Sequence, residues 1–215
     1  RGRQNSRRYT GDHLEQDEAV RDIPLSKKSD IIIPHLIIEN IYNPKNESHL
    51  YNAHKHGEMM IEIDIPGNKI LQLEHLVLDY NGTIAFDGAL IDGVKECLAE
   101  LSQMLTVHVI TADTFGSVKK AIEDIDCKLA VIPLDRQDVA KLEYVKNLGC
   151  EQTVSMGNGK NDRLMLKASV LGVAVIQGEG AAFETLASAD VVCTDIGSAL
   201  SLLTNPLRLI ATLRS

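Results

Sequence analysis

The sequence predicts an α/β fold built on a doubly wound, Rossmann-like parallel sheet, with an N-terminal extension. Three observations predict it. From Ile61 onward, short apolar runs alternate with segments of helical periodicity. Most of those runs are continuously apolar, as in parallel strands covered on both faces. The chain has 215 residues, 44% of them hydrophobic, enough for one domain with a sizeable core and something extra.

Residues 1–30 mix charges of both signs with little that could form a core, and read as a disordered tail. "IIIPHLIIENIYN" (31–43) reads as a strand or two broken by Pro34, and "NPKNES" as a turn. His49, His54 and His56 match no metal-site spacing and read as solvated side chains. The composition changes at Met59-Met60, so residues 1–58 are taken as the extension and 60–215 as the domain.

Within the domain, alternating "IEIDI" predicts a half-buried strand, Pro66-Gly67 a turn and "EHLVLD" a buried strand. Ile91, Val94, Leu98, Leu101 and Leu105 fall on one helical face. "TVHVIT" reads as a strand, "FGSVKKAIEDI" as a helix and "KLAVIPL" as a strand. "RQDVAKLEYVKNLG" follows as a helix that Gly149 can cap. "QTVSMG" and "LGVAVIQ" are strands flanking the helix "NDRLMLKAS". "AAFETLASA" is a helix, "DVVC" a short strand and "IGSALSLL" a helix, with Pro206 before a last basic helix.

Composition narrows the function. A net charge of −8 and a pI near 5.4 argue against non-specific nucleic-acid binding, and the lack of Trp against a base-stacking platform. No apolar run approaches the ~20 residues that span a bilayer, and no signal peptide is read at the start. Cys97, Cys127, Cys150 and Cys193 are scattered singly, as isolated thiols of a cytoplasmic protein.

In open α/β sheets, ligands gather beyond the carboxyl ends of the strands. That rule marks residues 79–83, 111–114, 133–136 and 157–162. Asp79 ends the strand of "LVLDYNGTIAFDG", and Gly82 lets the chain turn tightly behind it. Thr111 ends the next strand with a hydroxyl, and Lys141 lies early in a helix. "GNGKND" (157–162) leaves its strand with two glycines and ends in an Asp at a helix N-terminus. Taken singly, each has a bland reading: a helix cap, a structural hydroxyl, a surface lysine, a capped turn. Their joint occurrence in this order, each at a strand-to-helix junction or within a turn of one, is hard to explain structurally.

The order Asp79-x-x-Gly-Thr, Thr111, Lys141 and "GNGKND" resembles the haloacid dehalogenase superfamily of phosphotransfer enzymes. The stretch "VSMGNGKNDRLMLKASVLGVAVIQGEGAAFETLASADVV" (154–192) is similar to the phosphorylation domain of P-type cation ATPases, which carries a GDGxND signature. The similarity covers roughly residues 61–215. It implies a soluble, stand-alone phosphatase with Asp79 as the nucleophile that becomes an aspartyl phosphate. It implies that Gly82, Thr83, Thr111, Ala112 and Lys141 bind the phosphoryl group. It also implies Mg²⁺ held by Asp79, the Asn81 carbonyl, Asn158 and Asp162, with Asn161 orienting its neighbours.

Two positions depart from that pattern. Soluble phosphatases of the superfamily carry DxDGT, whose second Asp is the general acid and base; here it is Asn81. Asn158 stands where the main metal-binding Asp is expected. Slow turnover and weak Mg²⁺ binding follow as expectations. Only 32 positions separate Asp79 from Thr111, and 30 separate Thr111 from Lys141, so no cap domain is expected. An open site suits a large phosphorylated substrate or a homo-oligomer that uses a neighbour as its lid. The rivals to a phosphatase are a catalytically quiet regulatory or binding module and a structural subunit of a larger assembly.

Overall fold

The computed structural model describes residues 51–55, 58–113 and 116–215. The tail, the strands and the turn expected before residue 51, and the side chains of His49, His54 and His56, lie outside them.

The chain opens on an antiparallel sheet of β1 (Tyr51–Lys55), β2 (Glu58–Asp64) and β3 (Ile70–Leu73), with β2 in the middle. The composition break at Met59-Met60 lies inside β2, and this sheet takes residues from both sides of it. β3 was not expected as a separate strand, because Glu74 alone divides it from β4 (His75–Asp79).

β4 sits inside a six-stranded parallel sheet with β7 (Thr106–Thr111), β8 (Lys128–Val131), β9 (Thr153–Gly157), β10 (Leu171–Val175) and β11 (Val191–Cys193). The order is β11-β10-β9-β4-β7-β8. This is the expected doubly wound sheet, and alternation along each strand explains it. Leu76 and Leu78 of β4, Val107 and Val109 of β7, and Val173 and Val175 of β10 enter one core. Val77, Ile110 and Ala174, at alternating positions, enter a second core on the opposite face.

Helix α1 (Val94–Leu101), α6 (Ile196–Thr204) and α7 (Pro206–Leu213) cover the first face. Ile61, Ile63, Leu71 and Leu73 of the small sheet join the same core. α3 (Gln137–Leu148) and α4 (Arg163–Ala168) cover the second. α2 (Ser117–Ala121) and α5 (Phe183–Leu186) are shorter than the periodicity predicts. Ile122 and Ile125 are still buried, but from turns that follow α2. The four cysteines are free thiols.

Between β4 and β7 the chain inserts only α1 and a hairpin, β5 (Ala85–Phe86) with β6 (Ala89–Leu90), which was not expected. Asp87 and Gly88 turn it with φ of 49° and 79°. Two positive φ values in an Asp-Gly pair are what a tight type I′ hairpin requires. No cap domain stands among the described residues.

Candidate functional site

The carboxyl end of β4 places Asp79 at the centre of the sheet, between the ends of β9 and β7. Lys141, in the second turn of α3, is 1% exposed rather than a surface lysine. Its Nζ donates to Asp79 Oδ1 at 2.5 Å and to Asp162 Oδ1 at 2.6 Å. Asp162 is fully buried. Its carboxylate does not cap α4; Oδ2 turns back and accepts the backbone N–H groups of Asn158 (3.0 Å) and Gly159 (2.8 Å). Two carboxylates and one ammonium leave this buried cluster one negative charge when all are ionised.

Protonation follows from that arrangement. Burial alone would lower the Lys141 pKa, but the charges and hydrogen bonds of Asp79 and Asp162 reverse this and raise it. Burial raises the pKa of Asp162, the Asp79 charge adds to the rise, and Lys141 opposes it. Lys141 therefore stays an ammonium ion, and the cluster holds a proton more tightly than an exposed carboxylate does.

Gly82 turns the chain just after Asp79 with φ of 76°, and a Cβ there would lie 2.3 Å from Asn158 Nδ2. Only glycine meets both demands. The turn brings the fully buried Thr83 hydroxyl to Asp79 Oδ2 at 3.3 Å and to Asn158 Oδ1 at 3.2 Å. Asn158 Nδ2 donates to the Gly180 carbonyl at 2.9 Å. Asp79, Thr83, Lys141, Asn158 and Asp162 thus form one hydrogen-bonded cluster.

The other expected residues stand around it. Thr111 is buried one step beyond the residue of β7 that pairs with Asp79, and its Oγ1 accepts the Asp113 N–H at 3.0 Å. Ala112 follows it, half-buried. Asn81 is exposed at the tip of the turn, where its backbone bridges to Ala85. The Asn161 side chain bonds Gln137 Oε1 at 2.7 Å rather than the carboxylates.

Sequence reasoning missed Gln177, just beyond β10. Its Nε2 donates to the carbonyls of Gly82 (3.2 Å) and Thr83 (2.5 Å), and its Oε1 accepts the Ile196 N–H at the start of α6 (3.0 Å). It also missed Thr185, whose hydroxyl donates to the Gly159 carbonyl at 2.6 Å. The carboxyl-end rule, applied to the end of β10, points at this stretch of loop but not at the groups that the Gln177 side chain holds.

Among the described residues, no group of three or more His, Cys, Asp or Glu side chains is placed to hold a metal ion. Hard oxygen donors are nevertheless together. Asp79 Oδ2 and Asn158 Oδ1 converge on the same Thr83 hydroxyl. Mg²⁺ commonly takes one or two carboxylates and completes its shell with substrate phosphate and water. This donor set is compatible with magnesium and carries one formal negative charge. Both oxygens of Asp162 are already engaged, so it supports the loop and Lys141 first. No single helix among the described residues is long and apolar enough to cross a membrane.

No protein-family model matches the chain. Among solved structures it is similar to the cobalt-bound deoxy-D-mannose-octulosonate 8-phosphate phosphatase of Haemophilus influenzae. That match has TM-score 0.53 and 14% identity over 66% of this chain and 94% of that one. The Moraxella catarrhalis phosphatase in complex with magnesium, phosphate and KDO matches with TM-score 0.50 and 16% identity over the same shares. An apo phosphoserine phosphatase matches with TM-score 0.51 and 16% identity, over 61% of this chain and 99% of that one. At such identities the likeness concerns the fold, which is that of the haloacid dehalogenases. Two curated proteins of Methanocaldococcus jannaschii are similar in sequence. The uncharacterized protein MJ0072 is 46% identical over 39 residues, 18% of this chain and 89% of that protein. The uncharacterized protein MJ0073 is 44% identical over 82 residues, 36% of this chain and 88% of that protein, and the chain belongs to the same family as MJ0073.

Proposed function

We propose that the protein is a Mg²⁺-dependent phosphatase that works through an aspartyl phosphate on Asp79 and turns over slowly. One observation carries the reading. A buried lysine is clamped between Asp79 and Asp162 at the carboxyl end of a central strand, while the Asp79 side chain keeps 12% exposure. Asp79 attacks phosphorus as its bond to the leaving oxygen breaks, and the leaving group departs with the electron pair. Lys141 offsets the repulsion between the carboxylate and the phosphoryl oxygens. Thr111, the Ala112 backbone and the Gly82-Thr83 turn receive those oxygens. Magnesium, held by Asp79, the Asn81 carbonyl and Asn158, with Asp162 behind them, would supply further charge neutralisation on the phosphoryl group. Water then displaces Asp79 from phosphorus, giving phosphate, the free carboxylate and a proton released to solvent.

The "GNGKND" loop and the stretch to Val192 support a place near the phosphorylation domains of P-type ATPases. Asn81 supports slow turnover, since an amide cannot deliver or take the proton. The unpaired cysteines favour a cytoplasmic location. A second reading, a phosphorylatable module without turnover, draws on Asn158, whose amide is bonded at both ends to Thr83 and Gly180.

Hydrolysis of acetyl phosphate and p-nitrophenyl phosphate at saturating Mg²⁺, with intact-mass detection of the phosphoenzyme, tests these readings. The proposal expects activity and a phosphoryl adduct, both absent in Asp79→Asn. An adduct that never hydrolyses favours the module. Wild-type activity in Asp79→Asn overturns the mechanism.

A further inference from the structure

A cavity of about 350 Å³ lies between the β5–β6 hairpin and the loop after β10, lined by Gly82, Ala85, Phe86, Ile91, Gln177 and Gly178. Its position is informative. Gly82 follows Asn81 directly and belongs to the turn that holds Asp79. Gln177, on the opposite wall, grips the carbonyls of Gly82 and Thr83. The cavity wall and the turn after Asp79 are therefore held together by hydrogen bonds.

The chemistry of the walls is equally specific. Gln177 is the only residue in the lining with a polar side chain, and its amide is committed, Nε2 to two carbonyls and Oε1 to Ile196 N–H. The cavity thus offers a ligand mainly apolar surface. Phe86 is 44% exposed at one side. Gly178 lets its ring lie against the backbone: a Cβ there would come 2.5 Å from Phe86 Cε2. The Asp87 N–H, at the hairpin tip, donates to Glu179 Oε1 at 3.1 Å, an exposed bond that ties the hairpin to the facing loop.

We propose that this cavity is the subsite for the organic part of the substrate, and that it takes an apolar aromatic group of one to two rings. This rests on the phosphatase reading above and narrows it to aryl phosphates or aromatic acyl phosphates. Two independent features agree on that class. The walls suit an apolar group, and Asn81 restricts efficient transfer to groups that leave as stable anions without a proton. Aryloxides and carboxylates do so. Aspartate attack breaks the phosphorus–oxygen bond, the electron pair leaves on the aryloxide or carboxylate, and no proton is required from the protein.

Calorimetric titration of the full chain with phenylphosphonate and methylphosphonate at saturating Mg²⁺ tests the subsite without any turnover. The two share a phosphoryl head and differ in the apolar group. Phenylphosphonate should bind about tenfold tighter, as burial of most of one ring implies. The ratio of the two affinities should fall toward one in Phe86→Ala, which removes an exposed wall, and in Gly178→Val, which forces the Phe86 ring off its seat. Equal binding of the two ligands by the wild type overturns the subsite while leaving the phosphoryl site standing. A ratio unchanged in both variants overturns it as well, because the ring then binds elsewhere. If neither phosphonate binds, the phosphoryl site itself fails and the subsite falls with it.

Discussion

Asn81 is the residue on which the proposed chemistry turns. It sits exposed two positions beyond Asp79, just before the Gly82 turn, and its amide can donate a hydrogen bond but not a proton. Substrates whose leaving groups need no proton should be turned over best, and simple alcohol phosphates poorly. Asn81→Asp restores an acid of nearly the same shape. It should raise hydrolysis of an alcohol phosphate by up to ~10²–10⁴, the usual worth of general acid–base catalysis, and change p-nitrophenyl phosphate much less. Steady-state rates on one substrate of each kind, at saturating Mg²⁺, decide the matter. Equal gains on both, or none on either, would mean that the missing acid does not belong at this position. The same scale shows how far sequence reaches into the site. Asp79, Lys141, Asn158 and Asp162 are legible because each stands at or near a strand end in a fixed order. Gln177 is not, because its hydrogen bonds to Gly82 and Thr83 cross more than ninety positions of chain and depend on β10 lying two strands from β4. Nor does the pattern reveal that Thr83 ties Asp79 to Asn158 through its hydroxyl.

At the scale of elements, legibility follows the length and continuity of the apolar pattern. β4, β7, β9 and β10 are runs buried on both faces and stand out. β3 merges into β4, and the two-residue strands of the hairpin are too short to carry a period. The expected α2 continues through Ile122 and Ile125 because buried positions in turns imitate a helical stripe. The boundary near Met59-Met60 has a testable consequence. β1 pairs with β2 through Tyr51↔Ile63 and Asn52↔Glu62, while Ile61 and Ile63 of β2 are fully buried in the main core. A chain starting at residue 44 keeps both strands. A chain starting at residue 60 loses β1 and strips the edge of β2. The 44–215 protein should match the full chain in denaturant midpoint, and the 60–215 protein should be less stable by about 1–3 kcal/mol or aggregate through the bared edge. Equal midpoints for the two would show that β1 adds nothing to the domain.

At the scale of the whole molecule, the sheet and its second helical layer are joined by a partly buried polar thread at the end of β4 away from the carboxylates. His108 of β7 is 1% exposed. Its Nδ1 lies 2.9 Å from the Tyr144 hydroxyl of α3 and its Nε2 lies 3.3 Å from His75 Nδ1 at the start of β4. α3 is also the helix that carries Lys141, so this thread and the Asp79–Lys141–Asp162 cluster anchor the same element to the sheet. Burial first, then the facing His75 and the charge of Lys128, lower the His108 pKa from 6.5 to about 4. His75 shifts down for the same leading reason, with Glu74 opposing and Lys128 adding to the fall. Between pH 6.5 and about 4 the unfolded chain therefore binds a proton at His108 that the folded chain refuses. The stabilisation is complete above pH 6.5 and is lost as the pH falls toward about 4. Asp162 has the opposite sign: its raised pKa lets the folded state hold a proton, so its contribution improves as the pH falls. Wild-type protein should lose roughly 1–3 kcal/mol between pH 7 and pH 4.5 from the His108 component. His108→Gln cannot titrate. It should start lower at pH 7, since it loses a fitted ring, and then fall less steeply than the wild type as the pH drops, with His75 the remaining acid-sensitive imidazole of the thread. Urea midpoints at pH 7, 5.5 and 4.5 measure both slopes. Parallel slopes in the two proteins would place the acid sensitivity in other groups and leave His108 a packing residue alone.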